Sequence, residues 1–257
     1  MSHIYNETFF DYINASARAS AKPLVTLLFP KLKPSSVIDL GSGRGVWLEQ
    51  WQSAGVDTVL AVDGDYVNRD QLAVAKSDFL AADLTAPVTI TRRYDLAQSL
   101  EVGEHLPTEA SETLVDSLTN ASDRVLFSAA VTGQGGEFHI NEQPLSFWQD
   151  LFAARGYVAY DCVRPHLKNA KGVAPWYRYN SILYVNAAGR EGLPKDVLAT
   201  EIPKGARVKN AGNFGWRLRL AIVRILPRAM VTSIAQVRAT VLAMLARRSK
   251  TTTRISA

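Results

Sequence analysis

Asp39, Gly41, Gly43 and Gly45 are spaced Asp-x-Gly-x-Gly-x-Gly, and Asp63 follows eighteen positions after the last glycine. Glycines let a backbone turn tightly and bring its N–H groups against a ligand. Asp39 stands ahead of them, where a carboxylate accepts from an ammonium or an ordered water. Asp63 closes the apolar run Val59-Leu60-Ala61-Val62. An acid at the end of a second strand takes both ribose hydroxyls of an adenosine. The spacing is not the Gly-x-Gly-x-x-Gly of dinucleotide folds, which disfavours a dinucleotide reductase. Further chemistry-bearing residues are Ser99, Glu101, Glu104 and His105 around one strand end, and His139 in a later glycine-rich loop. Histidine suits proton transfer near neutral pH. His3 and His166 complete the four histidines. No cluster has metal-ligand spacing and no metal is expected, although Glu101, His105 and His139 are free to converge in space.

These residues need elements to position them. Val37 to Leu40 reads as a buried strand, and Val46 onward as a helix whose N-terminus the glycines deliver to a ligand. Strands are expected near 37–40, 58–62, 76–80, 94–100, 124–129, 157–163 and 179–186. Helices are expected near 46–54, 66–73, 109–120 and 145–155, with Gly55 and Gly156 as stops. Such alternation argues an α/β fold with a mostly parallel sheet covered on both faces. Loops at the carboxyl ends of strands line the ligand crevice of such a sheet. The stretch from Thr132 to Pro144 is too polar and glycine-rich to be core, so His139 is expected to face that crevice.

Over residues 37–186 the chain resembles the class I S-adenosylmethionine-dependent methyltransferases. Asp39, Gly41, Gly43, Gly45 and Asp63 match the family's nucleoside-binding pattern. The resemblance implies a Rossmann-like seven-stranded methyltransferase sheet and S-adenosyl-L-methionine as cofactor. It also places an acid near the adenine, Asp83 in Ala81-Ala82-Asp83-Leu84. Ser99 and Glu101 are expected beside the cofactor. Leading helices of relatives fold over it, which Tyr5 could reach, while Phe9, Tyr12 and Ile13 at helical spacing equally suit packing. Gly136-x-x-His139-x-Asn141-Glu142-Gln143, then Phe147-Trp148, resembles a bacterial subgroup acting on sugars, polysaccharides or secondary metabolites. Trp176-Tyr177-Arg178 recurs there too. Asn141 and these three are expected at the acceptor, the aromatics forming either a stacking wall for a sugar ring or a capped strand start. For a hydroxyl acceptor a general base helps. His139 is the first candidate and His105, often a structural cap in relatives, the second. His166 is third and His3 is expected in solvent.

The expected reaction is methylation of a sugar, polysaccharide or lipid-linked glycan. The alternatives are N- or O-methylation of a small metabolite, or a non-catalytic scaffold held at a membrane. A scaffold has no need for the Asp39, glycine and Asp63 set.

The 257 residues suffice for one α/β domain and an appendage, and 47% apolar with 21% charged is ordinary globular composition. A single cysteine, Cys162, excludes an internal disulfide and reads as a buried strand residue. No signal peptide is read at the N-terminus, consistent with a cytoplasmic protein. Residues 1–203 carry 17 Lys+Arg and 24 Asp+Glu, whereas residues 204–257 carry 12 Lys+Arg and no acid. Three parts are expected: a methyltransferase domain over 1–187, a linker over 188–213 and a basic helical tail over 214–257. The tail's first segment places Arg217, Arg224 and Arg228 on one face. Its second aligns Met230, Ile234, Val237, Val241 and Leu245, ahead of Arg247 and Arg248. Arginines interrupt both runs, so neither spans a membrane. Basic and amphipathic, they suit an anionic membrane surface, with Trp216, Leu220 and Ile225 inserted. The alternative is a helical hairpin packed on its own domain or a second subunit. No motif supports nucleic acid.

Overall fold

A computed structural model describes residues 7–227 and 230–234, with side chains from Ser16 onward. His3, Tyr5, Arg228 and the tail beyond residue 234, with Val237, Val241, Leu245, Arg247 and Arg248, lie outside the described residues. So do the side chains of Phe9, Tyr12 and Ile13. Helix α1, Glu7–Leu32, leads into strand β1, Ser36–Leu40, helix α2, Val46–Ala54, and strand β2, Thr58–Asp63. Strands β3, Phe79–Ala81, and β4, Leu96–Leu100, follow, then α3, Ser111–Ala121, and β5, Arg124–Ser128. Next come α4, Leu145–Ala153, β6, Val158–Tyr160, α5, Arg164–Leu167, α6, Pro175–Asn180, and β7, Ile182–Val185. Short α7, Lys195–Leu198, and α8, Phe214–Arg224, complete the described elements.

The seven strands form one sheet in the order β3-β2-β1-β4-β5-β7-β6. β1 to β5 run parallel, and β7 is antiparallel to both β5 and β6. Alternate strand residues feed two cores, as the period-two geometry of strands requires. Val37, Leu96, Leu126 and Leu183 pack with α1 and α2 on one face. Ile38, Ala97, Phe127 and Tyr184 pack with α3, α4 and α8 on the other. Strand order reverses between β1 and β4, the switch point at which such sheets open a crevice for ligands.

Several local expectations fail for identifiable reasons. Residues 66–73 hold only the 3-10 turn Arg69–Gln71, because the Asn68 side chain accepts from Asp70 N–H at 3.0 Å. Such side-chain bonds compete with helix formation. The last strand starts at Ile182 instead of Tyr179, because Pro175, at the start of α6, suits a first helical turn. β6 ends at Tyr160, and Cys162 is buried in the turn beyond it.

The 188–213 stretch packs on the domain. Val197 and Val208 are buried, and Ile202 N–H donates to the Ala159 carbonyl at 2.8 Å. α8 docks as well. Trp216 and Leu220, expected in a membrane, are buried in the second core, where Trp216 meets Tyr179 at 5.6 Å. The large apolar side chains that α8 leaves in solvent are Phe214, Leu218 and Ile222, with Ile225 just beyond; Arg217 and Arg224 are exposed too.

Candidate active site

The glycine loop leaves β1 and enters α2. Gly41, Gly43 and Gly45 all have positive φ, at 89°, 54° and 77°. A Cβ on Gly41 would lie 2.3 Å from Val102 Cγ2, so this position excludes a side chain on conformation and on space. Gly45 caps α2 with no side-chain bond to its first amides, leaving that N-terminus open to an anion.

Asp63 bridges from β2 to this loop. Its Oδ2 accepts from Gly43 N–H at 2.6 Å, and its Oδ1 accepts from Gly64 N–H at 2.7 Å and Tyr66 Oη–H at 2.5 Å. Burial raises its carboxyl pKa against these three donors. Asp39 is buried under the loop. Its Oδ2 accepts from Gln98 Nε2–H at 2.9 Å, and Gln98 Oε1 accepts from Trp51 Nε1–H at 2.8 Å. Burial pushes the Asp39 carboxyl up to about 7. Asp83 lies beyond β3 on the surface, accepting from the Thr85 amide and hydroxyl at 2.9 and 2.7 Å. Ser99 is wholly buried in β4, its Oγ without a partner.

The second half of the site follows β4 and β5. Glu101 turns the chain at the end of β4 with φ 58°, a left-handed conformation rare for a residue with a Cβ. Its Oε2 accepts from Gln134 Nε2–H at 2.8 Å, and Asn180 Nδ2–H donates to Gln134 Oε1 at 2.8 Å. Burial raises the Glu101 pKa despite the Gln134 bond. Glu104 is 1% exposed, and its carboxyl lies against the Glu101 carboxyl and the Ala130 backbone without a well-formed hydrogen bond to either oxygen. Burial first, then the Glu101 charge, pushes its pKa well above the usual range.

His139 is brought to His105 by backbone. Ile140 N–H and Asn141 N–H both donate to the Glu104 carbonyl, at 2.9 and 3.0 Å. Phe138, with φ 58°, supplies the turn. The His105 ring bonds the backbone of Phe138, while His105 Nδ1 is buried without a partner. Burial and the neighbouring His139 drive the His105 pKa down to about 3. His139 Nδ1–H donates to Glu142 Oε1 at 2.8 Å, an assignment set by the carboxylate's acceptor-only chemistry. Burial alone would raise the Glu142 carboxyl, but His139 and the Gly135 and Gly133 amides hold it below the usual range. Those amides donate at 2.6 and 2.8 Å. A cleft of about 200 Å³ opens beside His139, with Gly136 and Glu142 on one wall and Val223, Arg224 and Leu226 on the other.

Not every expected residue joins this group. Asn141 is 2% exposed and spends all its hydrogen-bonding capacity internally. Nδ2 donates to Gly103 O and Ser111 Oγ, while Oδ1 accepts from Thr108 and Gln143. It therefore positions the loop and has nothing left for an acceptor. Tyr177 is turned into the core, edge-on to Trp47 at 4.9 Å, so it forms no open stacking wall. Trp176 packs half-buried on the same core. Arg178 lies over the Tyr179 ring at 5.2 Å. His166 sits on α5, away from the paired histidines in sequence and element. Sequence reasoning missed Gln98, Gln134, Asn180 and Tyr66, polar partners contributed by separate elements. Glu142 was legible only as the acid three positions beyond His139.

No protein-family model matches the chain, and no curated protein matches it. Solved structures do. The fold matches DesVI of Streptomyces venezuelae at TM-score 0.54 and 14% identity, over 70% of this chain and 95% of that one. It matches an O-methyltransferase family protein of Burkholderia thailandensis at TM-score 0.50 and 12% identity, over 69% of this chain and 59% of that one. Human N-acetylserotonin methyltransferase, solved in complex with SAM, aligns at TM-score 0.49 and 14% identity, over 69% of this chain and 55% of that one. The chain spans little more than half the length of the human and Burkholderia proteins. At these identities the likeness to the Streptomyces and Burkholderia proteins establishes the fold alone: a Rossmann-like methyltransferase sheet.

Proposed function

We propose that the chain is an S-adenosylmethionine-dependent methyltransferase acting on a hydroxyl of a sugar-like or lipid-linked glycan acceptor. The observation that carries the reading is the Asp63–Gly43 bond of 2.6 Å, which joins the acid at the end of β2 to the glycine turn after β1. The residues present fit the cofactor. Gly41, Gly43 and Gly45 give close backbone approach, and Asp63 would take the ribose hydroxyls where Tyr66 Oη now donates. Asp39 underpins the loop, and Asp83 stands at the edge of the sheet for the adenine. When bound, S-adenosylmethionine supplies a sulfonium methyl: the acceptor's lone pair forms the bond to carbon, and the carbon–sulfur pair stays on sulfur.

The chain's own contribution is alignment and proton removal. Glu142 holds the proton of His139 on Nδ1, which leaves Nε2 as the basic nitrogen. The same carboxylate stabilises the ring once it is protonated, as an orienting acid does in nucleophile–base pairs. The adjoining cleft suits the acceptor, and its α8 wall makes the tail part of that pocket. Transfer of labelled methyl from S-adenosylmethionine to a panel of saccharides, phenols and amines tests the reading. Label should appear in an ether of a saccharide. Label confined to amines would move the activity to N-methylation, and no label on any acceptor would contradict it.

A second proposal concerns location. Phe214, Leu218 and Ile222 on α8, with Ile225 just beyond, expose an apolar stripe within residues 204–257, which carry twelve cations and no acid. Such a surface complements an anionic leaflet. Among the described residues no helix is long and apolar enough to cross a membrane. Attachment would be peripheral, at a face where lipid-linked acceptors are presented.

A further inference from the structure

We propose that Glu104, His105 and His139 form a binding site for one first-row divalent cation, of the manganese, iron, cobalt or zinc kind. One donor atom from each residue lies within 4.8 Å of the others. A ligand sphere of about 2.1 Å radius spans at most about 4.2 Å, so small side-chain rotations close the shell.

The unmet bonding points the same way. Both oxygens of Glu104 and Nδ1 of His105 are buried without a well-formed hydrogen bond, and the Glu104 carboxyl is pressed against that of Glu101. Buried polar atoms are nearly always paired, and a lone carboxylate in the interior is costly. A cation would give the Glu104 carboxylate and the His105 ring a shared partner. The Glu101 carboxylate, beside them, is already engaged by Gln134 and is not needed as a ligand.

The surroundings are those of a ligand shell. His139 gives its Nδ1–H to Glu142, which two backbone amides anchor in turn. A carboxylate on the far nitrogen is the usual partner of a metal-binding histidine, fixing the tautomer and the ring. With Nδ1 on Glu142, Nε2 is the ring nitrogen left to coordinate. Gly136 leaves room beside it, since a Cβ there would lie 2.2 Å from that nitrogen. The His105 ring is fixed by the Phe138 backbone. Two imidazoles and one carboxylate suit borderline transition ions better than calcium or magnesium, which prefer all-oxygen shells.

Three protein ligands leave positions open, as catalytic metal sites do. On the methyltransferase reading, on which this role rests, those positions would take the acceptor hydroxyl or a pair of neighbouring hydroxyls. A bound cation lowers the proton affinity of such an oxygen. The O–H proton would then pass to solvent water, the oxygen's pair would form the bond to the methyl carbon, and the carbon–sulfur pair would stay on the departing sulfur. The two histidines act in this case as ligands, and the cation takes over the work of a base.

Titration of the full chain with Mn²⁺, followed by the six-line paramagnetic resonance signal of the free ion, tests the site. One ion per chain should leave the free signal. Glu104→Gln and His139→Gln should each weaken uptake about tenfold or more, and Glu142→Gln about 10- to 100-fold. Glu142→Gln serves as the reference variant if Glu104→Gln does not fold by circular dichroism. No uptake by the unaltered chain, or equal uptake by these variants, overturns the site. The same samples are titrated with S-adenosylmethionine. Cation uptake without cofactor binding would sink the methyltransferase reading and leave the cation site standing. Cofactor binding without uptake would do the reverse.

Discussion

His105 and His139 meet edge to face, ring centroids 5.0 Å apart and planes at 89°, although one follows β4 and the other β5. The Glu104 carbonyl holds the second loop onto the first through two amides. Burial keeps His105 neutral, while Glu142 is kept ionised beside His139. Nδ1 of His139 is taken by Glu142, so Nε2 is the ring nitrogen left for the work of a base or a ligand.

His139→Ala should cut turnover by roughly 10²–10⁴ and leave cofactor affinity unchanged. Steady-state rates with the saccharide acceptor, paired with calorimetry, give the split. A near-normal rate in this variant, with a large loss in His105→Ala, would transfer the role to His105.

Asp39 makes a pH-dependent contribution. Its folded pKa, about 7, lies above the unfolded value of 3.8. Protons therefore favour the folded chain, and stability from this group falls as pH rises from about 4 through 7. Asp39→Asn removes the titration and keeps an acceptor for Gln98. The variant should match the wild type in melting temperature near pH 4 and exceed it at pH 8. A difference that is constant across this range would contradict the assignment.

The exposed face of α8 should govern membrane attachment. The full chain should co-sediment with anionic vesicles, and salt should weaken the binding by screening. Truncation at Pro203 would uncover the core beneath Trp216 and Leu220, so substitutions give the cleaner test. Leu218→Glu with Ile222→Glu should abolish sedimentation and keep the fold, because both side chains are about half exposed. Unchanged sedimentation in that double variant would refute the stripe, and equal binding to neutral vesicles would refute the role of charge.

The sheet was readable because its strands are apolar runs closed by Gly41 and Asp63, and its helices carry their own stops at Gly55 and Gly156. Asp63 reaching the glycine loop followed from that order. The pairing of His105 with His139 did not follow, since it depends on amides bonding a carbonyl and on the left-handed turns at Glu101 and Phe138. Those are tertiary facts with no local spacing. Asn141 misled for a related reason: an amide in a polar loop serves equally as ligand contact or loop clamp, and only its four partners decide. In α8 a basic amphipathic pattern fixed the helix, while its rotation, with Trp216 inward and Leu218 outward, was set by Tyr179 and the second core.

The most direct measurement is a calorimetric titration of the full chain with S-adenosylmethionine, repeated with Asp63→Ala. The chain should bind at one site, and the variant should bind more weakly. A hydrogen bond to a charged group contributes about 1.5–3 kcal/mol, so each lost ribose contact should cost roughly ten- to a hundredfold in Kd. No heat of binding with the unaltered chain, or an affinity that Asp63→Ala leaves untouched, would contradict the account at its centre.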